Sequence, residues 1–302
     1  MKNKFIIFII ILLFCLGNLK WAFAEEFIFE VSNLEIIENG NIYRGNDRGK
    51  IKTDNQLELI SNEFEYLKKI NRLETNGDVQ VFDLKNDITI NAEKIFYLKD
   101  EEKIFTSGKT LIKVSDKYII SGYDLTFLKD EMILSSKKKA IITDNESNVY
   151  TLEQFIYSVE KEILKGEDII VTTNNKKNSN NNFYFKTGFF NLKENKFLAK
   201  DVVAKLHKNL FGDEENDPRI SAVSGYGDKF NTYFEKGVFT SCKKTDKCPP
   251  WKITSNKIHH DKIKEQVIYR NAWLEVYDFP VIYFPKFFHP DPTVERQSGF
   301  LK

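Results

Sequence analysis

The chain repeats one strand-like pattern at an interval of about thirty residues. Ser61-Asn-Glu-Phe-Glu-Tyr-Leu-Lys68 is echoed by Ala92-Glu-Lys-Ile-Phe-Tyr-Leu-Lys99, Gly122-Tyr-Asp-Leu-Thr-Phe-Leu-Lys129 and Leu152-Glu-Gln-Phe-Ile-Tyr-Ser-Val159. A looser copy is Thr187-Gly-Phe-Phe-Asn-Leu-Lys193. The aromatic anchors Tyr66, Tyr97, Phe127, Tyr157 and Phe190 stand 31, 30, 30 and 33 residues apart. A polar turn follows the later anchors: Lys99–Glu102, Lys129–Glu131, Glu160–Glu162 and Lys193–Asn195. An apolar residue then resumes, at Leu73, Ile104, Ile133, Ile163 and Phe197. A period of this length marks an array of stacked units, none of which buries its apolar face alone.

Within each unit the apolar period is two, as in a half-buried strand. Residues two apart share a face, so Phe64/Tyr66, Ile95/Tyr97, Leu125/Phe127, Phe155/Tyr157 and Phe190 are expected to line one interior. Twenty-six Phe and thirteen Tyr favour strands over helices, and no stretch reads as an amphipathic helix of ordinary length. The expected fold is all-β: an antiparallel sheet folded over on itself. Its interior is either a filled core or an apolar groove kept open for a lipid chain. Both give the same alternation.

Charge and composition narrow the function. With 45 Lys+Arg against 44 Asp+Glu the formal net charge is +1, so no basic face for nucleic acid is indicated. A hydrophobic content of 41% is enough for a core and argues against disorder. No cofactor motif is present. No Ser-His-Asp trio, G-x-S-x-G, phosphate loop or H-E-x-x-H stands out, and the acidic pairs sit in polar turns. A non-enzyme is expected. A glycan-cleaving enzyme on a β-repeat scaffold is the contrary reading; it needs two spaced carboxylates on one exposed face, which the pattern does not offer.

Residues 1–24 read as a signal peptide. Lys2 and Lys4 precede an apolar run from Phe5 to Leu16, and Ala22-Phe23-Ala24 supplies a cleavage site. The run is too short to span a bilayer. Cys15 follows the bulky Phe14, which disfavours a lipoprotein. Export leaves two cysteines, Cys242 and Cys248, in an oxidising compartment where they can pair. Two polar segments interrupt the pattern: Asn174–Asn182, expected as a loop, and Gly212–Pro218, expected to end the array over 25–212.

Beyond it the texture changes to Gly237-Val-Phe-Thr-Ser-Cys242, Cys248-Pro-Pro-Trp251 and Phe279-Pro-Val-Ile-Tyr-Phe-Pro285. His289-Pro-Asp-Pro292 and Arg296-Gln-Ser-Gly-Phe-Leu301 follow. Prolines at 285, 290 and 292 forbid a regular central strand there, and 213–292 is expected to be an irregular connector. These motifs resemble the junction of the LPS-assembly (organic solvent tolerance) family, with Pro280, Pro285, Pro290, Pro292, Arg296, Ser298 and Gly299 at the matching positions. The repeat array is similar to the OstA-like open β-jellyroll of LPS-transport proteins.

The resemblance implies a periplasmic jellyroll that carries LPS acyl chains past the ladder of Phe64, Tyr66, Ile95, Tyr97, Leu125, Phe127, Phe155, Tyr157 and Phe190. It implies a periplasmic OstA-like bridge protein joined by strand addition near Glu26–Glu38, and a barrel-plugging lipoprotein wherever the barrel is present. The place of action would be the periplasmic face of the outer membrane. A soluble bridge component is the nearest alternative. In the family a long barrel follows the Arg-x-Ser-Gly-Phe-Leu motif, whereas 293–302 supplies one strand at most, so the periplasmic part of a truncated or incompletely read gene is expected. Disulfides accompany assembly in the family, and a local Cys242–Cys248 bridge is the reading preferred here. The zinc alternative would use Cys242, Cys248, His259 and His260, but adjacent histidines point apart on a strand; no metal is expected.

Overall fold

The computed structural model describes residues 27–53, 55–173, 181–206, 217–243 and 249–290. The signal peptide, Cys248, Pro292, Arg296, Ser298, Gly299 and the barrel strand expected at 293–302 lie outside them.

Among the described residues the fold is all-β and antiparallel. Six short strands come first: β1 (Ile28–Glu30), β2 (Glu35–Ile37), β3 (Ile42–Gly45), β4 (Gly49–Lys52), β5 (Leu57–Ser61) and β6 (Glu63–Leu67). Three long ones follow: β7 (Arg72–Asp83), β8 (Ile88–Leu98) and β9 (Lys103–Val114). Six more are short: β10 (Tyr118–Tyr123), β11 (Thr126–Leu128), β12 (Ile133–Ser136), β13 (Ala140–Asp144), β14 (Val149–Leu152) and β15 (Gln154–Ser158). The rest are long: β16 (Ile163–Thr173), β17 (Asn181–Asn191), β18 (Lys196–Lys205), β19 (Arg219–Gly227), β20 (Asn231–Thr240), β21 (Trp251–Asp261), β22 (Gln266–Val276) and β23 (Phe279–Pro290).

The long strands explain how one sheet becomes two leaves. The first half of β7 pairs with β6 and its second half with β5. β9 likewise pairs with β11 and then β10, and β16 with β15 and then β14. Each long strand therefore crosses a fold line. β1, β4, β5, β10, β13 and β14 belong to the first leaf; β2, β3, β6, β11, β12 and β15 belong to the second.

The fold line has a local chemical cause. Mid-strand residues with positive φ mark it: Gly77, Asp78 and Gly108, then Asp168, Asp201, Lys236 and Asn271. The ladder slips between Asn76 and Val79 and between Ala92 and Lys94. Asp, Asn and Gly tolerate this geometry best, and each kink turns the strand from one leaf to the other. On the outer side of the fold line, charged side chains pair across strands, as Lys186 does with Asp168 at 2.7 Å.

Inside, the two leaves share one apolar core. The repeat anchors and the aliphatic residues between them fall in a single cross-strand row. It runs Tyr43, Tyr66, Leu73, Tyr97, Ile104, Phe127, Leu134, Tyr157, Leu164, Phe190 and Phe197. Two of the resuming residues, Ile133 and Ile163, stand one position off this row, which takes Leu134 and Leu164 instead.

The expected irregular connector is corrected. β19 pairs with β18 beyond the polar 212–218 segment, and β20 to β23 add four more strands in order. Pro280, Pro285 and Pro290 lie inside β23. Among the described residues β23 pairs with β22 alone, so a missing N–H need not break a ladder on both sides. The register shifts at Leu274/Glu275, opposite the Pro280 region. At the other end β1 pairs with β4 alone and β2 with β3 alone, leaving both leaves with an unpaired side near the predicted edge.

Candidate functional site

The nine ladder residues come together as the sequence pattern requires. All are buried, none more than 8% exposed, and all belong to the common core. In the first part of the molecule these rings fill the interior. Phe27 and Phe29, which the repeat did not flag, insert beside them. Phe27 meets Tyr66 edge-on at 4.7 Å, and Phe29 stacks on Phe64 at 5.2 Å and on Tyr43 at 5.6 Å. Such offset and edge-on contacts add to the area they bury.

The free ends of the two leaves meet along a seam opposite the fold line. Its first half is tied by carboxylates. Glu102, in the turn after β8, accepts hydrogen bonds from the Tyr97 hydroxyl at 2.8 Å and the Lys129 ammonium at 3.1 Å. It also accepts one from the Asn55 amide at 3.2 Å, across the seam. Glu162, after β15, takes the Lys117 ammonium at 2.5 Å and the Tyr118 hydroxyl at 3.2 Å. Burial, with Glu162 nearby, raises the Tyr118 pKa, so this hydroxyl stays a donor at neutral pH. Burial likewise raises the pKa of Tyr157, whose oxygen has no hydrogen-bond partner.

Further along, the seam opens into a cavity of about 420 Å³ between the leaf ends. Tyr150, Phe183, Phe185, Phe190, Phe197 and Phe234 form its apolar wall, and Asn148, Lys196, Asp228, Lys229 and Lys262 its polar rim. The rings touch: Phe185 lies 5.7 Å from Phe190 and 6.0 Å from Phe197, centre to centre. The cavity forms where the apolar row gives out. Phe197 is followed across the strands by Gly227, Thr232 and His260. A ring-walled pocket with a polar rim, within the usual range of about 300–1,000 Å³, suits a molecule with an apolar body and a polar head. Of its wall, the repeat singled out Phe190 as an anchor and Phe197 as the apolar residue that resumes after the turn. The period-two Phe183/Phe185 pair was the available signal, hidden beside the Asn-rich run.

Other expected groups are not brought together. His259 faces outward, stacks on Tyr233 at 4.3 Å and bonds the Asn231 amide oxygen at 2.8 Å. Burial lowers its pKa. The Cys242 Sγ lies 3.5 Å from the Trp251 carbonyl oxygen, at the far end of β21. About eight residues of strand, roughly 25 Å, separate it from His259, so the zinc set is not assembled. Among the described residues no group of three or more His, Cys, Asp or Glu is placed to hold a metal.

No family model matches the chain. A short stretch is similar to the LPS-assembly protein LptD of Francisella tularensis subsp. novicida (strain U112), 43% identical over 51 residues. LptD of F. tularensis subsp. holarctica (strain OSU18) and of subsp. tularensis (strain FSC 198) match to the same extent. The match covers 17% of this chain and 6% of each relative.

Proposed function

We propose that the protein takes part in LPS transport and assembly at the outer membrane, as a non-catalytic carrier whose interior receives acyl chains. One observation carries the reading: an unbroken row of apolar side chains leads through the interior to a ring-walled cavity at the seam. Hydrocarbon needs contiguous apolar area, at about 25 cal/mol per Å² buried, while sugars and phosphates stay at the rim in water. The short similarity to proteins named for LPS assembly supports the same substrate. In this reading the chain is exported and works at the periplasmic face. The unpaired sides of β1 and β2 accept a bridge protein by strand addition, and a barrel-plugging lipoprotein joins where a barrel is present.

Native mass spectrometry of the purified protein mixed with LPS tests this. Retained LPS, displaced by free fatty acid but not by free sugar, is expected. Absence of any lipid-bound species contradicts it. One second reading is a soluble bridge component; among the described residues β1, β2 and β23 each pair on one side, which suits strand addition. Head-to-tail oligomers growing with concentration would single it out.

A further inference from the structure

Two lysines of the repeat are buried at the seam, and only one has a carboxylate. Lys129 pairs with Glu102 at 3.1 Å. Glu102 is already occupied, since it also accepts from Tyr97 and Asn55. Lys99, three residues before it, is 8% exposed, and its ammonium nitrogen has no hydrogen-bond partner among the described residues. It faces the ring of Phe27 at 5.0 Å. A ring face offsets part of the desolvation of a cation but does not accept three N–H bonds. A buried ammonium in this state is retained against a steep desolvation penalty.

The surroundings say what would satisfy it. Phe27 and Tyr97 pack together at 6.0 Å, with Tyr66 behind Phe27. A free inorganic anion placed there would lose its hydration without burying apolar surface. An amphiphile gains on both counts, because its hydrocarbon adds to the interior while its anion meets the ammonium. Phe27 is itself buried among these rings, and the strand that follows it, β1, is three residues long and pairs on one side among the described residues.

We infer that Lys99 is the receptor for the anionic headgroup, phosphate or carboxylate, of the lipid whose chains occupy the interior. Phe27 covers the ammonium until that group arrives. The inference rests on the function proposed above and adds the chemistry of headgroup recognition.

The test compares the full chain with its Lys99→Met variant, which keeps the aliphatic bulk and removes the charge. The probes are phosphorylated lipid A, the same lipid dephosphorylated, and inorganic phosphate. The wild type is expected to prefer the phosphorylated lipid about tenfold, the scale of one charge-assisted contact. Lys99→Met should reduce that ratio to about one, with affinity for the dephosphorylated lipid unchanged. Without ligand, Lys99→Met should melt higher than the wild type, because a buried unpartnered charge is gone. Lys129→Met should melt lower, because Glu102 loses its cation. A preference that survives Lys99→Met overturns the inference, as does a lower ligand-free melting temperature, which a purely structural lysine would give. Stabilisation by inorganic phosphate alone, lost in Lys99→Met, overturns the assignment to a lipid. If neither lipid binds the wild type, the carrier function fails, and the ligand-free melting comparison still judges Lys99.

Discussion

The two ends of the folded sheet are built to one plan and finished differently. From β6 to β16 the inward row alternates aromatic and aliphatic residues, and Tyr97, Leu134 and Leu164 are shut off from solvent. From β17 onward the row runs into Gly227 and Thr232, a cavity opens at the seam, and large side chains emerge. Trp273 is 42% exposed and Phe279 75%. Burial in the first region secures the fold. Under the proposed function, the apolar surface left over in the second is where lipid would be met, since patches of this kind mark contact with lipid or another molecule.

Substitutions can break or sharpen this contrast. The largest effect is expected in the closed region. Leu134→Ala should destabilise by about 2–5 kcal/mol in urea denaturation, whereas Phe183→Ala on the cavity wall should cost about 1 kcal/mol. Equal losses would erase the distinction. Next come the glycines facing the interior. A Cβ on Gly166 would meet Leu152 Cδ2 at 2.3 Å and the Gln154 carbonyl oxygen at 3.1 Å. Gly166→Ala should therefore cost about 1–3 kcal/mol. At Gly225 the nearest atom, Val202 Cγ2, is 3.1 Å away, and Gly225→Ala should cost less than about 1 kcal/mol.

The seam tie ranks third. Glu162→Gln weakens the bonds from Lys117 and Tyr118 and should cost about 0.5–1 kcal/mol, a modest figure because Lys117 is well exposed and its pairing is screened. High salt should shrink the difference. The smallest effect is a pH dependence. The His259 pKa is lowered in the folded state, so the unfolded chain binds the proton first as pH falls. The stability that neutral His259 supports is complete above about pH 6.5 and declines as pH drops through that value toward the folded pKa. His259→Gln should flatten this decline in thermal melts between pH 8 and 5; an unchanged slope would assign it to other groups.

Much of the first region was legible in the sequence, because a thirty-residue period and a strand period of two together specify a row. Tyr66, Tyr97, Phe127, Tyr157 and Phe190 occupy that row. The second region was harder to read for identifiable reasons. Proline reads as a strand breaker, yet β23 holds three, and among the described residues it pairs with β22 alone. The seam contact between Asn55 and Glu102 joins residues 47 positions apart in different repeat units, and nothing local encodes it. The cavity depends on which strand ends face each other across the seam, so Phe234, which no repeat motif marks, lines it beside the repeat residues Phe190 and Phe197.

The central claim is that hydrocarbon enters the interior by way of the seam cavity. A photoreactive amino acid placed at Phe183 or Phe197 and irradiated with LPS in the intact envelope tests it most directly. The outward-facing Ile156, 52% exposed, is the control. Capture of LPS from the two cavity positions and not from Ile156 is the expected result. Capture from Ile156 with none from Phe183 or Phe197 would contradict it.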